Sequence, residues 1–393
     1  MTVSHAAPID QYANRRAAAA GERDRLDARW NRLANLRLVA GLAVIGFGAW
    51  GLWGRNPLGW WLALAALVAF VALAVTHNRI GKRRDAAALS VLVNEEGIAR
   101  VEREWEALPP RWEAAIPADH PFAGDLDLFG RASLSCLLGN VSTGMGWKVL
   151  RGWLLVPGEP EEVAARQERV RGLAPRLDWR QRFELLGRAS AAAGKQTDPA
   201  PFLAWAEGPR WLEHRRWLLA LAWVGPVALV ALLIAQAVGV APGPFWMLAL
   251  GFNLAVSGVL GREAVTINAA VGEHARALAG YAGQLALVDE VDPSVGGTRA
   301  DELGRLARLA SLPIPFGSPA GAIVTAFTCW DVHVLAALER WQGKHGRVVR
   351  GWFEDLAETD AIAALAALAF DNPAWPFPVY GRNEAAFAGV GLG

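Results

Sequence analysis

The sequence predicts an all-α protein with four transmembrane helices arranged as two hairpins, and three observations carry that expectation. No charged residue lies between Arg216 and Arg262, a stretch about twice the ~20 residues that a helix needs to cross a bilayer. Near its middle, Gly239-Val240-Ala241-Pro242-Gly243-Pro244 cannot continue a helix, so two spans joined by a turn are expected. The same design occurs earlier, where residues 38–54 and 58–76 are uncharged and Arg55-Asn56-Pro57 separates them.

In chain order, residues 1–37 read as a polar, Ala- and Arg-rich N-terminal helix running into the first hairpin, residues 38–78. Residues 79–118 continue as a stalk helix with Leu89, Leu92, Val101 and Trp105 as apolar positions, and Pro109-Pro110 ends it after residue 108. Residues 119–216 hold shorter helices. Leu134, Leu137, Leu138 and Val141 recur at helical spacing, Gly144 and Gly146 break the pattern, and Val149, Leu150, Trp153 and Leu154 share one face of the next helix. Pro157-Gly158 stops that helix. The following one opens at Pro160, where the missing N–H costs nothing, with Glu159, Glu161 and Glu162 at its positive end.

Residues 217–261 form the second hairpin, and residues 262–372 return to amphipathic helices. Val265, Val271, Leu278, Tyr281 and Leu285 mark a long helix over 264–288, and a short one over 303–312 ends at Pro313. Ile323, Phe327, Trp330, Val334, Leu338 and Trp341 recur at steps of three and four, which predicts one buried stripe ended by Lys344-His345-Gly346. A helix over 348–370, carrying Trp352, Leu356 and Ile362, stops at Asn372-Pro373, and residues 373–393 form a linker.

The flanks of the uncharged stretches fix an orientation. Trp50, Trp53, Trp60 and Trp61 surround the first turn, and Trp217, Trp223 and Trp246 lie near ends of the second pair, as interfacial anchors do. Arg29, Arg32 and Arg37 precede the first span; Arg79, Lys82, Arg83 and Arg84 follow the second; Arg210, Arg215 and Arg216 precede the third; Arg262 follows the fourth. The turns hold only Arg55. By the positive-inside rule both turns face outward and both termini are cytoplasmic, making the chain a multi-pass protein of the cell inner (plasma) membrane with the lipid bilayer as its first partner. A reporter fused at Pro242 is expected to read as extracytoplasmic and one at Gly393 as cytoplasmic.

Composition narrows the function. The formal net charge is +1, which argues against a global attraction to nucleic acid. Cys136 and Cys329 are the only cysteines, each inside an apolar helical pattern, and they read as core residues rather than ligands or a disulfide. Asp125 and Asp127 have no third ligand near in sequence and read as turn or capping residues. The histidines are dispersed; His214 and His274, each beside a Glu, read as members of solvated helix faces. Asp331 and His333 point away from each other on a helix, and no zinc-protease or nucleophile-elbow motif occurs. No charge interrupts any span, which disfavours a small-molecule transporter.

Several short elements also occur in a particular order. Leu137-Leu138-Gly139-Asn140 precedes the Thr143-Gly144-Met145-Gly146 turn, then come Leu150-Arg151-Gly152-Trp153-Leu154, Pro157, and Arg166-Gln167 before Val170 and Leu173. Asp125 through Gly130 leads into this block. A second block holds Cys329-Trp330-Asp331, Leu338-Glu339-Arg340-Trp341, Trp352, Glu358 and Pro373 through Pro378. The ordered set resembles the helical core and lever region of the MutS family, DNA mismatch-repair proteins, and in particular its membrane-bound subgroup. The resemblance covers the sequence from about Asp119 onward, in two blocks separated by the second hairpin.

On that resemblance Asn140, Thr143, Gly146, Trp153, Pro157, Arg166, Gln167, Trp330, Asp331, Glu339, Trp341 and Trp352 are structural motif residues, with no catalytic, cofactor or metal role. The mismatch wedge of the family, a Phe followed two positions later by Glu, does not occur here, and the second hairpin occupies the place of the DNA clamp. The family's P-loop ATPase, with its ATP and Mg²⁺, would lie beyond Gly393. The only near match in this chain, Gly194-Lys195-Gln196-Thr197, has Ala189 where a P-loop needs Gly. Two readings follow: a nucleotide-free membrane scaffold that couples an ATPase to the hairpins and dimerises through that ATPase, or a membrane-tethered component that binds mismatched DNA. Neither gives this chain an enzymatic site of its own.

Overall fold

The computed structural model describes residues 6–108, 120–193, 198–241, 243–259, 267, 271–272, 274–292, 297–311 and 319–379. Among them every regular element is helical, so the all-α expectation holds. The helices are α1 (Ala6–Trp53), α2 (Pro57–Glu102), α3 (Leu134–Leu137), α4 (Gly144–Leu155), α5 (Pro160–Leu173), α6 (Leu177–Ala193) and α7 (Ala200–Glu207). Then follow α8 (Arg216–Ala237), α9 (Trp246–Gly258), α10 (Ala275–Val291), α11 (Arg299–Ala310), α12 (Pro319–Thr328), α13 (Trp330–His345) and α14 (Val349–Asp371). The chain forms two units: residues 1–139, 157–181 and 364–393, and residues 140–156 and 182–363.

The first unit is built on α1 and α2, helices of 48 and 46 residues and therefore about 70 Å long at 1.5 Å per residue. Their turn follows from three residues. Arg55 takes a left-handed conformation (φ 48°), the Asn56 side chain accepts from the N–H of Leu58, and Pro57 begins α2 where no donor is lost. Around this turn the surface is apolar: Ile45 is 70 % exposed and Trp53 82 % exposed, a pattern that water does not tolerate over a large patch. At the other end of the pair Tyr12, Val91, Val93 and Ala99 are buried. Trp30 marks the change of character, with the His77 ring 4.6 Å away and the Arg84 guanidinium 4.7 Å from its centroid.

α2 ends earlier than its sequence predicts. Arg103 turns left-handed (φ 60°) and Glu104 donates to the Ala99 carbonyl, so the helix closes before Trp105–Ala107, a 3-10 turn. The gain is packing: Trp105 lies against a cluster of Ala99, Leu108 and Cys136. Pro109, Pro110 and Asp119 lie outside the described residues. Asp125 and Asp127 sit in turns, Asp127 with φ 45° and its N–H on the Gly124 carbonyl, as a turn role requires. The helix expected from Leu134 to Val141 is a single turn, α3; Leu138, in extended backbone, and Val141 are buried outside any helix instead.

In the second unit α8 and α9 pair, and α12 packs against both. Asn253 explains how. It is fully buried on α9, and its Nδ2 donates to the Ala326 carbonyl of α12 at 2.8 Å. Gly225 of α8 lies against it; a Cβ there would collide with Asn253 Oδ1. Small residues and one shared polar group are how apolar helices approach closely. Gly225→Val is therefore expected to lower the apparent Tm of the purified protein in detergent by an overpacking cost of about 1–3 kcal/mol, with Gly225→Ala giving a smaller drop in the same thermal-shift series.

Among the described residues three helices, α1, α2 and α8, are long and apolar enough to cross a membrane. α9 spans 13 residues, or about 20 Å against a hydrocarbon core of about 30 Å; residues 260–266 lie outside the described residues. So do Pro242 and most of the residues between α9 and α10. Of the helix expected over 264–288, Val271, Leu278, Tyr281 and Leu285 are buried as the pattern required. α11 begins and ends a few residues before the predicted 303–312, and Leu312 and Pro313 are outside the described set. The predicted stripe from Ile323 to Trp341 breaks at Cys329, which adopts φ 46° and separates α12 from α13. Val334, Leu338 and Trp341 are buried, Trp330 is half-buried, but Ile323 and Phe327 are exposed on α12.

Candidate functional site

The turn that carries Asn140, Thr143 and Gly146 is held by a carboxylate far away in sequence. The N–H and Oγ of Ser142 donate to Asp360 Oδ1 at 3.1 and 3.2 Å, and the N–H and Oγ1 of Thr143 donate to Oδ2, both at 2.8 Å. Thr143 is also the N-cap of α4, its Oγ1 accepting from the Gly146 N–H at 3.0 Å. Gly146 is glycine because a Cβ would sit 2.6 Å from Asp360 Oδ2. Gln284 on α10 completes the latch, donating to Ser142 Oγ at 2.9 Å and to the Phe183 carbonyl at 3.1 Å.

Asp360 is almost completely buried, and burial pushes its carboxyl up to about 7 even though four donors favour the anion. Such a group holds structure; it has no open face on which a substrate could approach. Asn140 is half-buried at the start of the turn. On α4 the buried face is Gly146, Trp147 and Leu150, whereas Val149, Trp153 and Leu154 of the predicted face are half-buried.

The other motif residues make separate contacts. Asp331, buried at the start of α13, accepts from Ser257 Oγ at 2.9 Å, and burial raises its carboxyl. Glu339, likewise raised by burial, accepts the Leu212 N–H with both oxygens at 2.9 and 3.0 Å. Trp341 donates Nε1 to the Glu302 carbonyl and stands 6.5 Å from Trp205, 6.3 Å from Trp352 and 5.2 Å from His345. Pro157 is exposed; Arg166 pairs with Glu162 at 3.1 Å, and Gln167 donates to the Pro378 carbonyl at 2.9 Å.

A second polar hub lies in the first unit and was invisible to motif reading. Asp371 accepts from the Tyr12 hydroxyl at 2.8 Å and from Arg100 Nε at 3.0 Å, joining α1, α2 and the end of α14. Arg180 lies 4.8 Å from the Phe370 ring, and burial lowers its pKa, while burial and then Asp371 raise that of Tyr12. Arg15 pairs with Asp178 at 2.6 Å and Gln181 donates to Asn94 at 2.8 Å beside this hub. Asp371 and Asp360 flank the uncharged, Ala-rich run 361–370 of α14.

No group of three His, Cys, Asp or Glu able to hold a metal occurs among the described residues. His274 is buried rather than solvated; His214 is exposed. Both cysteines are buried free thiols. The segment Gly194–Thr197 lies outside the described residues, but the chain before it is helix α6 and not the strand from which a P-loop springs, so these residues do not fit ATP. Comparison with protein families, with characterised proteins and with solved structures returned no match.

Proposed function

We propose that this chain is a membrane-anchored, MutS-like helical scaffold that couples a P-loop ATPase outside this sequence to two membrane hairpins. The observation that carries the reading is the continuity of α1 and α2: each runs unbroken from an apolar, exposed end to a polar one, which on α2 is largely buried. A displacement at the Tyr12–Arg100–Asp371 hub is thereby transmitted along the helix axes to the apolar end. In this reading ATP and Mg²⁺ belong to the ATPase, a homodimer forms through it, and α9 belongs to the fourth span. Both turns face outward and both termini are cytoplasmic in the inner membrane, as the basic flanks favour.

The hairpin in the place of the family's clamp favours a lever that acts on lipid rather than DNA. The test is twofold. The protein is expected to stay in the pellet after alkaline carbonate washing of membranes, and the purified chain to bind a mismatched duplex no more tightly than a matched one at physiological salt. Release by carbonate, or a clear preference for the mismatch, would overturn the scaffold reading.

A further inference from the structure

A groove of about 1230 Å³ runs along α8 in the second unit, larger than the roughly 300–1,000 Å³ of ordinary small-molecule sites. One wall is apolar, from Leu219 through Trp223 and Val227 to Ile234, and extends for about 22 Å along the helix axis. The opposite wall comes from α12 and α13, including Thr328, Trp330 and Ala336. The Trp223 and His333 rings meet edge to face at 4.8 Å and bind the walls together.

The mouth is different in kind. Arg210, Glu213, Arg216, Glu339 and Arg340 line it. The two carboxylates are already committed: Glu213 to Arg210 at 2.8 Å, and Glu339 to the Leu212 N–H. Arg216 and Arg340 are exposed and have no carboxylate within ion-pair distance among the described residues. The groove thus joins a long apolar slot to two uncompensated guanidiniums at the end where α8 meets its basic flank. Guanidiniums match phosphate oxygens in bidentate geometry, and an acyl chain matches a slot parallel to a membrane helix.

We infer that this groove is a binding site for one anionic phospholipid, with the phosphate between Arg216 and Arg340 and an acyl chain along α8 from Leu219 to Ile234. The inference rests on α8 lying in a bilayer, as proposed above. It gives the scaffold a means to sense lipid composition where α8 contacts α13.

The experiment is native mass spectrometry of the full chain released from detergent, with dioleoyl-phosphatidylglycerol and dioleoyl-phosphatidylcholine as probes. One phosphatidylglycerol should be retained about tenfold more than phosphatidylcholine, and R216Q/R340Q should abolish that preference while R216K/R340K keeps part of it. V227W, which fills the slot, should lower retention of both lipids. Equal retention of the two lipids by the wild type, an unchanged preference in R216Q/R340Q, or full displacement by free inorganic phosphate would overturn the site. Carbonate extraction of the same preparations separates the two ideas: a protein that resists carbonate but shows no preference loses only the lipid site, whereas release into the supernatant removes the membrane reading as well.

Discussion

Asp371→Ala is expected to destabilise the protein by about 3–5 kcal/mol, because it removes the carboxylate from a buried ion pair. Arg100 and Asp371 have side chains only 6 % and 2 % exposed, and Tyr12 is equally buried. The same substitution should uncouple α1 and α2 from α14, since Asp371 accepts from both of the long helices. Hydrogen exchange reads this directly: amides around Tyr12 and Arg100 should lose protection while those around the Gly54–Asn56 turn keep theirs. Tyr12→Phe removes the hydroxyl's bond to Asp371 and its long contact from Arg100 but leaves the ion pair, so it should cost less, about 1–2 kcal/mol.

The second large effect is at Asp360. Asp360→Ala leaves two backbone N–H groups and two hydroxyls of Ser142 and Thr143 without their acceptor, which should cost about 3 kcal/mol. Asp360→Asn tests the charge separately. The carboxyl is raised in the folded chain to about 7 from an ordinary value of 3.8, so the folded state binds the proton more tightly than the unfolded one. The Asp360 contribution is therefore fully present below about pH 4 and is lost as pH rises to about 7, by an amount on the order of 4 kcal/mol. Apparent Tm measured against pH should fall across that window in the wild type relative to Asp360→Asn. Parallel profiles would mean that the carboxyl is ionised throughout.

The sequence made some of this legible and hid the rest for physical reasons. Uncharged runs and the Arg55-Asn56-Pro57 break located α1, α2 and α8, because a long apolar run without a breaker satisfies its backbone groups most readily as a helix. The Gly144 and Gly146 break was readable as a turn, but its partner was not: Thr143 and Asp360 are 217 residues apart, and periodicity carries no information at that range. A solitary Asp in the Ala-rich stretch after Thr359 was the available signal, since a charge on an otherwise apolar helix face is buried only with partners.

Other differences came from backbone geometry. Arg103 and Cys329 adopt positive φ without being glycine, so nothing in the residue types announced the end of α2 or the break between α12 and α13. The apolar stripe kept its spacing across Cys329 while its direction changed, and Ile323 and Phe327 were left facing outward. A Glu beside His274 suggests solvent, whereas tertiary packing buries the imidazole.

In the proposed topology both helical hairpins cross the membrane with their turns outside. Single cysteines provide the direct measurement, since Cys136 and Cys329 are buried and should resist a membrane-impermeant maleimide. On intact cells, Arg55→Cys and Val240→Cys should react at once, and Arg347→Cys only after lysis. Reaction of Arg347→Cys in intact cells, with Arg55→Cys or Val240→Cys silent until the membrane is opened, would contradict the account.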